Sequence, residues 1–145
     1  MIGKKINWNK LNKGVFLVNT LGIIYDPSKK RILIAKRIDD SYIKNLTWCF
    51  PGAIPSYRKD LEKSLEKNIK NKTGLRVKNL GCVFSRIFKE NKQFLLMYYL
   101  CEVVGGKENP SKDLTELKWV KPEEIQDYFT TSFDKRLREY IMNLK

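Results

Sequence analysis

Residues 48–75, WCFPGAIPSYRKDLEKSLEKNIKNKTGL, lead into a run of side chains that can meet an anion. Between Arg58 and Lys78, eight basic residues stand against three acidic ones. Ammonium and guanidinium groups offset phosphate charge through charge-assisted hydrogen bonds. The same balance is the opposite of a metal-collecting helix, because hard divalent cations need charged oxygen ligands. The chain contains no histidine, which removes Ser-His-Asp sites, Cys-His sites and every His-ligated metal site in one step. Any acid-base chemistry falls to carboxylates, Lys, Tyr or Cys. Cys49, Cys82 and Cys101 are widely spaced without a C-x-x-C pair, which predicts buried thiols rather than a disulfide framework or a zinc cage.

Charge over the whole chain points the same way with less specificity. The 29 basic and 16 acidic residues give a formal net charge of +13, favouring anionic partners such as nucleotides, RNA, DNA or acidic lipid surfaces. The 22 Lys and 7 Arg are spread along the chain, a pattern that a solvated, lysine-rich surface produces equally well. At 145 residues and 42% hydrophobic content, a single globular domain spanning 1–145 is expected. No apolar run approaches the roughly 18 residues of a membrane span, and the start MIGKKINWNK lacks the apolar middle of a signal peptide. A cytoplasmic protein with no membrane association is the expectation, with residues 1–13 as a flexible basic arm.

The elements that must position these residues follow from apolar periodicity. GVFLVNTLGIIY (14–25) and RILIAKRI (31–38) flank Asp-Pro-Ser turn chemistry and predict an antiparallel hairpin. The apolar runs 77–89 and 93–104 predict a second hairpin, and alternation over 94–100 predicts a strand covered on both faces. Leu61, Leu65 and Ile69 make one apolar stripe on a helix over 60–72, with Gly74 as its stop. Lys59, Lys63, Lys67 and Lys70 lie nearly opposite, as a solvated face. Glu62 and Glu66 read as solvent-facing, with Glu66 supporting Lys70 one turn on. TELKWV (115–120) predicts a strand, Pro122 with Glu123 and Glu124 a helix start, and Phe133 to Leu144 a last helix. The sum is an α+β chain with one sheet and flanking helices.

In this order, ILIAKR (32–37), LTWCFPGA (46–53), a helix closing on TGL (73–75), a strand pair and ELKWVKPEEI (116–125) resemble the Nudix (MutT-like) hydrolase family. The resemblance implies an α/β/α sandwich around a mixed β-sheet. The family box, G-x5-E-x7-R-E-U-x-E-E-x-G-U with U a bulky aliphatic residue, keeps its frame here in Pro51, Gly52, Gly74 and Leu75, and its aliphatic position falls on Ile69. Its chemistry is replaced. The first Gly is Ala53, the loop Glu is Lys59, the Arg is Lys67, and the three helix Glu are Asn68, Asn71 and Lys72.

In the family those carboxylates hold Mg²⁺ or Mn²⁺ against a pyrophosphate, whereas Asn lends neither charge nor basicity and Lys72 brings an ammonium. The resemblance therefore implies a degenerate box that binds a nucleotide, a nucleoside-diphosphate compound or RNA without efficient hydrolysis and without a metal. Lys72, Lys67 and Arg58 would offset phosphate charge, joined by Arg37 at its strand end. The alternative is a divergent pyrophosphohydrolase using Mg²⁺ or Mn²⁺ and leaning on Asp113 and Glu116, which lie where many family members carry a further acid. Family members are often dimers, so a homodimer is a further expectation.

Overall fold

The computed structural model describes residues 15–38, 46–111 and 113–144, and the segment 1–13 read above as a basic arm lies outside them. The first two strands, β1 (Leu17–Asp26) and β2 (Arg31–Arg37), meet at a turn in which the Asp26 carboxylate accepts from Ser28 N, Ser28 Oγ and Lys29 N. That turn chemistry starts a hairpin, but antiparallel pairing covers only Ile24–Asp26 against Arg31–Leu33. Beyond it the strands part. Two short strands, β3 (Trp48–Cys49) and β4 (Gly52–Ala53), enter between them: β3 pairs with β2, while β4 pairs with β1 at Thr20 and Leu21. A full-length hairpin over 14–38 is thus corrected to a forked one.

The fork requires close backbone approach. A methyl group at Gly52 would sit 2.0 Å from the Thr20 carbonyl oxygen, so only glycine fits there. Thr20, fully buried, donates from its hydroxyl to the Ala53 carbonyl at 3.1 Å. On its other edge β1 runs parallel to β6 (Phe94–Gly106), which pairs antiparallel with the edge strand β5 (Leu75–Ile87). β7 (Leu114–Val120) pairs antiparallel with β2, completing a mixed seven-stranded sheet among the described residues.

Both faces of this sheet are covered. On one, α1 (Leu61–Thr73) packs Leu65 and Ile69 against Ile24, Leu33, Tyr99 and Cys101. On the other, α2 (Ile125–Tyr128) and α3 (Lys135–Met142) bring Ile125, Leu137 and Ile141 onto Ile23, Ile32, Ile34 and Leu96. The result is an α/β/α sandwich. Alternation along β6 is as expected, with Phe94, Leu96 and Tyr98 in one layer and Tyr99 and Cys101 in the other. Cys82, however, is exposed rather than buried.

Local chemistry sets the helix ends. Asp60 lies outside α1 as its N-cap, its side chain accepting from Lys63 N at 2.8 Å, and Gly74 closes the helix at φ 80°. Asp134 caps α3 in the same way, so that helix begins at Lys135 rather than Phe133. The Lys stripe of α1 faces solvent, and Leu61 is 36% exposed, so the apolar stripe is narrower than its spacing suggests. Glu66 does not support Lys70. It accepts from Asn79 N at 3.0 Å, tying α1 to β5, while Lys70 donates to the Gly74 carbonyl. The core prediction is direct: Ile69→Ala should cost roughly 2–5 kcal/mol in chemical denaturation, and Lys67→Ala, on the exposed face, within about 0.5 kcal/mol of none.

Candidate functional site

Where the strands fork, a cavity of about 220 Å³ opens against β1, β4, β6 and residues 129–133. Its walls are largely apolar and aromatic. Phe50 stands edge-on to Tyr98 and Phe129 at centroid distances of 6.0 and 5.1 Å, and Phe129 to Phe133 at 5.7 Å. Such interlocked rings form a preformed apolar wall.

The polar contributions are few and of one sign. Among the described residues, Arg37, Lys72 and Arg86 reach the wall and no carboxylate does. Lys72 lies in the last turn of α1 and is partly buried. Its ammonium donates to the Gly52 carbonyl at 2.6 Å, tying the helix end to β4. Arg37 ends β2 at a bulge, its backbone N donating to the Thr47 carbonyl at 2.7 Å. Arg86 leaves β5 and is held by three bonds: Nε to Tyr98 OH at 3.1 Å, Nη1 to Ser132 Oγ at 3.0 Å and Nη2 to the Ser132 carbonyl at 2.9 Å. Asn19 completes the set. Its Oδ1 is buried and has no hydrogen-bond partner among the described residues, and a buried acceptor left unmatched costs about 1–3 kcal/mol.

Glu90 secures the 129–133 segment from outside the cavity. Ser132 donates to it from both its backbone N and its hydroxyl, the latter at 2.6 Å. Partial burial alone would raise the Glu90 carboxyl; the Ser132 bonds, with Arg86 nearby, outweigh that and hold it below 4.5. Burial pushes the Tyr98 phenol up, only partly offset by Arg86, so Tyr98 stays neutral and donates or accepts as a hydroxyl. Burial also pushes the Cys101 thiol up to about 12, which leaves it chemically inert.

Of the residues singled out in the sequence, the structure brings Arg37, Lys72, Pro51 and Gly52 together at the cavity. Arg58, Lys59 and Lys67 are exposed and do not reach its wall. Asn68 is half-buried and Asn71 exposed, both on α1 outside the wall, and Gly74 and Leu75 form the helix stop and the start of β5. Asp113 is exposed just before β7, and Glu116 is exposed on β7 opposite Lys36; neither lines the cavity. Asn19, Arg86 and Ser132 were not anticipated. Asn19 interrupts an apolar strand and Arg86 an apolar run, and a polar side chain in such a run is the signal that marks them.

Three comparisons bear on this arrangement. The family model described as the NUDIX domain matches residues 15–143. A MutT-like protein of Streptomyces ambofaciens is 25% identical over 109 residues, spanning 74% of this chain and 66% of its own length, just under two thirds. Among solved structures, the MutT protein of Methanosarcina mazei Go1 superposes with a TM-score of 0.68 at 17% identity, covering 90% of this chain and 93% of its own. An ADP-ribose pyrophosphatase of Streptococcus suis superposes with a TM-score of 0.58 at 19% identity, covering 73% and 74%.

The Glu90 contacts carry a pH signature. A carboxyl held low in the folded chain stabilises it above the ordinary value, and that contribution disappears as pH falls through the folded value. Glu90→Gln should therefore flatten the acid limb of a melting-temperature profile as pH falls below the ordinary carboxylate range. An unchanged limb would assign acid lability to other carboxylates.

Proposed function

This chain belongs to the Nudix family, and from that premise we propose that it binds the phosphate of a nucleotide, a nucleoside-diphosphate compound or RNA at the forked-strand cavity without efficient hydrolysis. The observation that carries this reading is the Lys72 ammonium on the Gly52 carbonyl, in a wall to which the described residues contribute Lys72, Arg37 and Arg86 as its charged groups. A phosphate at the cavity mouth meets positive charge from Lys72 and Arg86, both held by hydrogen bonds, and from Arg37, so its charge is offset without an ion. The aromatic walls take the ring of a nucleoside, and Asn19 Oδ1 accepts from an N–H on its edge.

Water activation has no comparable support. A hard divalent cation needs several charged oxygen ligands, and among the described residues no three His, Cys, Asp or Glu side chains cluster to hold one. Lys72 places its charge on a carbonyl that a cation would otherwise approach. Among the described residues, the cavity lining offers no set of charged oxygen ligands that fits Mg²⁺ or Mn²⁺. One seven-stranded sheet shared by both core layers supports reading the chain as a single domain.

A second reading keeps the chemistry that the Streptococcus suis neighbour's name describes, pyrophosphate hydrolysis, with Asp113 and Glu116 as surviving acids. It requires those exposed carboxylates to reach the substrate along with Mg²⁺ or Mn²⁺. The two readings separate in one assay: nucleoside triphosphates, ADP-ribose, dinucleotide polyphosphates and capped RNA are incubated with Mg²⁺, Mn²⁺ or EDTA and products followed by mass spectrometry. The binding reading expects no turnover on any of them. Turnover abolished by EDTA would establish the second reading.

Lys72→Ala should weaken nucleotide or RNA binding about tenfold or more, since a hydrogen bond to a charged group contributes about 1.5–3 kcal/mol. It should also flatten the salt dependence of binding. An unchanged salt slope would remove Lys72 from the site. Restoring Glu at 68, 71 and 72 together should create Mn²⁺ binding; a folded triple variant that binds none would overturn the alignment of the box on this helix.

A further inference from the structure

A second cleft lies at the other end of β1, on the same face of the sheet, roughly 13 Å from Leu21 at the usual strand rise. Its volume is about 310 Å³, and Tyr25, Lys30, Arg31, Lys121 and Glu123 contribute its polar side chains. Among the described residues the charge is three cations to one carboxylate. These come from three separate places in the chain: the end of β1, the turn into β2, and the junction where β7 leads to the 3-10 turn Pro122–Glu124.

Tyr25 marks this cleft as more than a basic surface. The residue is only 6% exposed, and its hydroxyl is buried with no hydrogen-bond partner among the described residues. The great majority of buried polar side-chain atoms are hydrogen-bonded, and an exception calls for an explanation, a bound ion or water among them. Arg31 is positioned as well, its Nη1 donating to the Lys29 carbonyl at 3.0 Å and curling the guanidinium over the turn. Lys30 holds a φ of 52°, a left-handed conformation that costs a non-glycine residue free energy and that persists where surrounding structure enforces it.

We propose that this cleft is a second binding site, separate from the forked-strand cavity, for an exposed phosphate group, either free or carried as a monoester. Every cationic group named is a pure donor, and Tyr25 offers an O–H whose proton has no acceptor among the described residues. A tetrahedral dianion presents acceptor oxygens in several directions at once and so satisfies donors arriving from separate elements. A carboxylate presents one plane and less charge. Glu123 disfavours any anion, and it leaves net positive charge enough for a dianion.

The test uses the chain carrying Lys72→Ala, which weakens the first cavity, titrated with inorganic phosphate, methyl phosphate and acetate at low ionic strength, with the NMR shifts separating the two sites. Binding is followed by calorimetry and by amide NMR shifts. Phosphate or methyl phosphate should perturb Tyr25, Arg31 and Lys121, and acetate should bind at least several-fold more weakly; the tighter of the first two identifies a free ion or an ester as the ligand. Tyr25→Phe keeps the ring and its packing and removes only the hydroxyl. It should retain the melting temperature while lowering phosphate affinity several-fold, and Arg31→Gln should lower it further. Equal phosphate affinity in Tyr25→Phe, equal binding of acetate, or shifts confined to other parts of the chain would each overturn the site.

Discussion

β1 serves two antiparallel neighbours along a single edge, β2 beside its end and β4 beside its middle. A strand cannot do this unless its partners diverge, and the divergence rests on Gly52 lying against the Thr20 carbonyl where no side chain fits. Everything at the first cavity follows from that contact. The fork opens the space that Phe50 and Phe129 wall, it turns the Gly52 carbonyl toward the end of α1, and it lets a lysine there reach across. The helix end, the short strand and the fork thus act as one unit. Its electrostatics are set by the residue at position 72: a carboxylate there would make the carbonyl part of a cation site, and an ammonium makes it an acceptor already in use.

The positive side chains divide into two groups by what holds them. Lys59, Lys63, Lys67 and Lys70 face solvent along α1, where Coulomb interactions are weak and screened. Arg86 is fixed by Tyr98 and Ser132, and Lys72 by Gly52. Fixed cations beside apolar walls require less reorganisation when an anion arrives, and there charge has its largest effect. A formal charge of +13 therefore overstates what the cavity uses.

Much of the fold was legible because local rules and tertiary packing agree. The stripe of Leu65 and Ile69, the stop at Gly74, the two-sided burial of β6 and the Asp26 turn are each read by spacing or turn chemistry, and each is found. The fork was not legible, because pairing of β1 with β4 is a long-range contact that no periodicity encodes. Glu66 was misread for a related reason: a helical wheel places it near Lys70, but it cannot know that Asn79 N comes within reach. At the cavity, the family frame led to Lys72 and Arg37. Arg86 and Ser132 come from segments 46 residues apart, and only the folded chain brings them together.

The central claim is that fixed cations of the chain do the work that a bound metal does elsewhere in the family. Its most direct test is the affinity of the 145-residue chain for ADP-ribose, measured by calorimetry in EDTA and again in saturating Mn²⁺. The account predicts the same dissociation constant in both, with Lys72→Ala weakening the two alike. Binding that appears only with Mn²⁺ would contradict it and return the metal to the site.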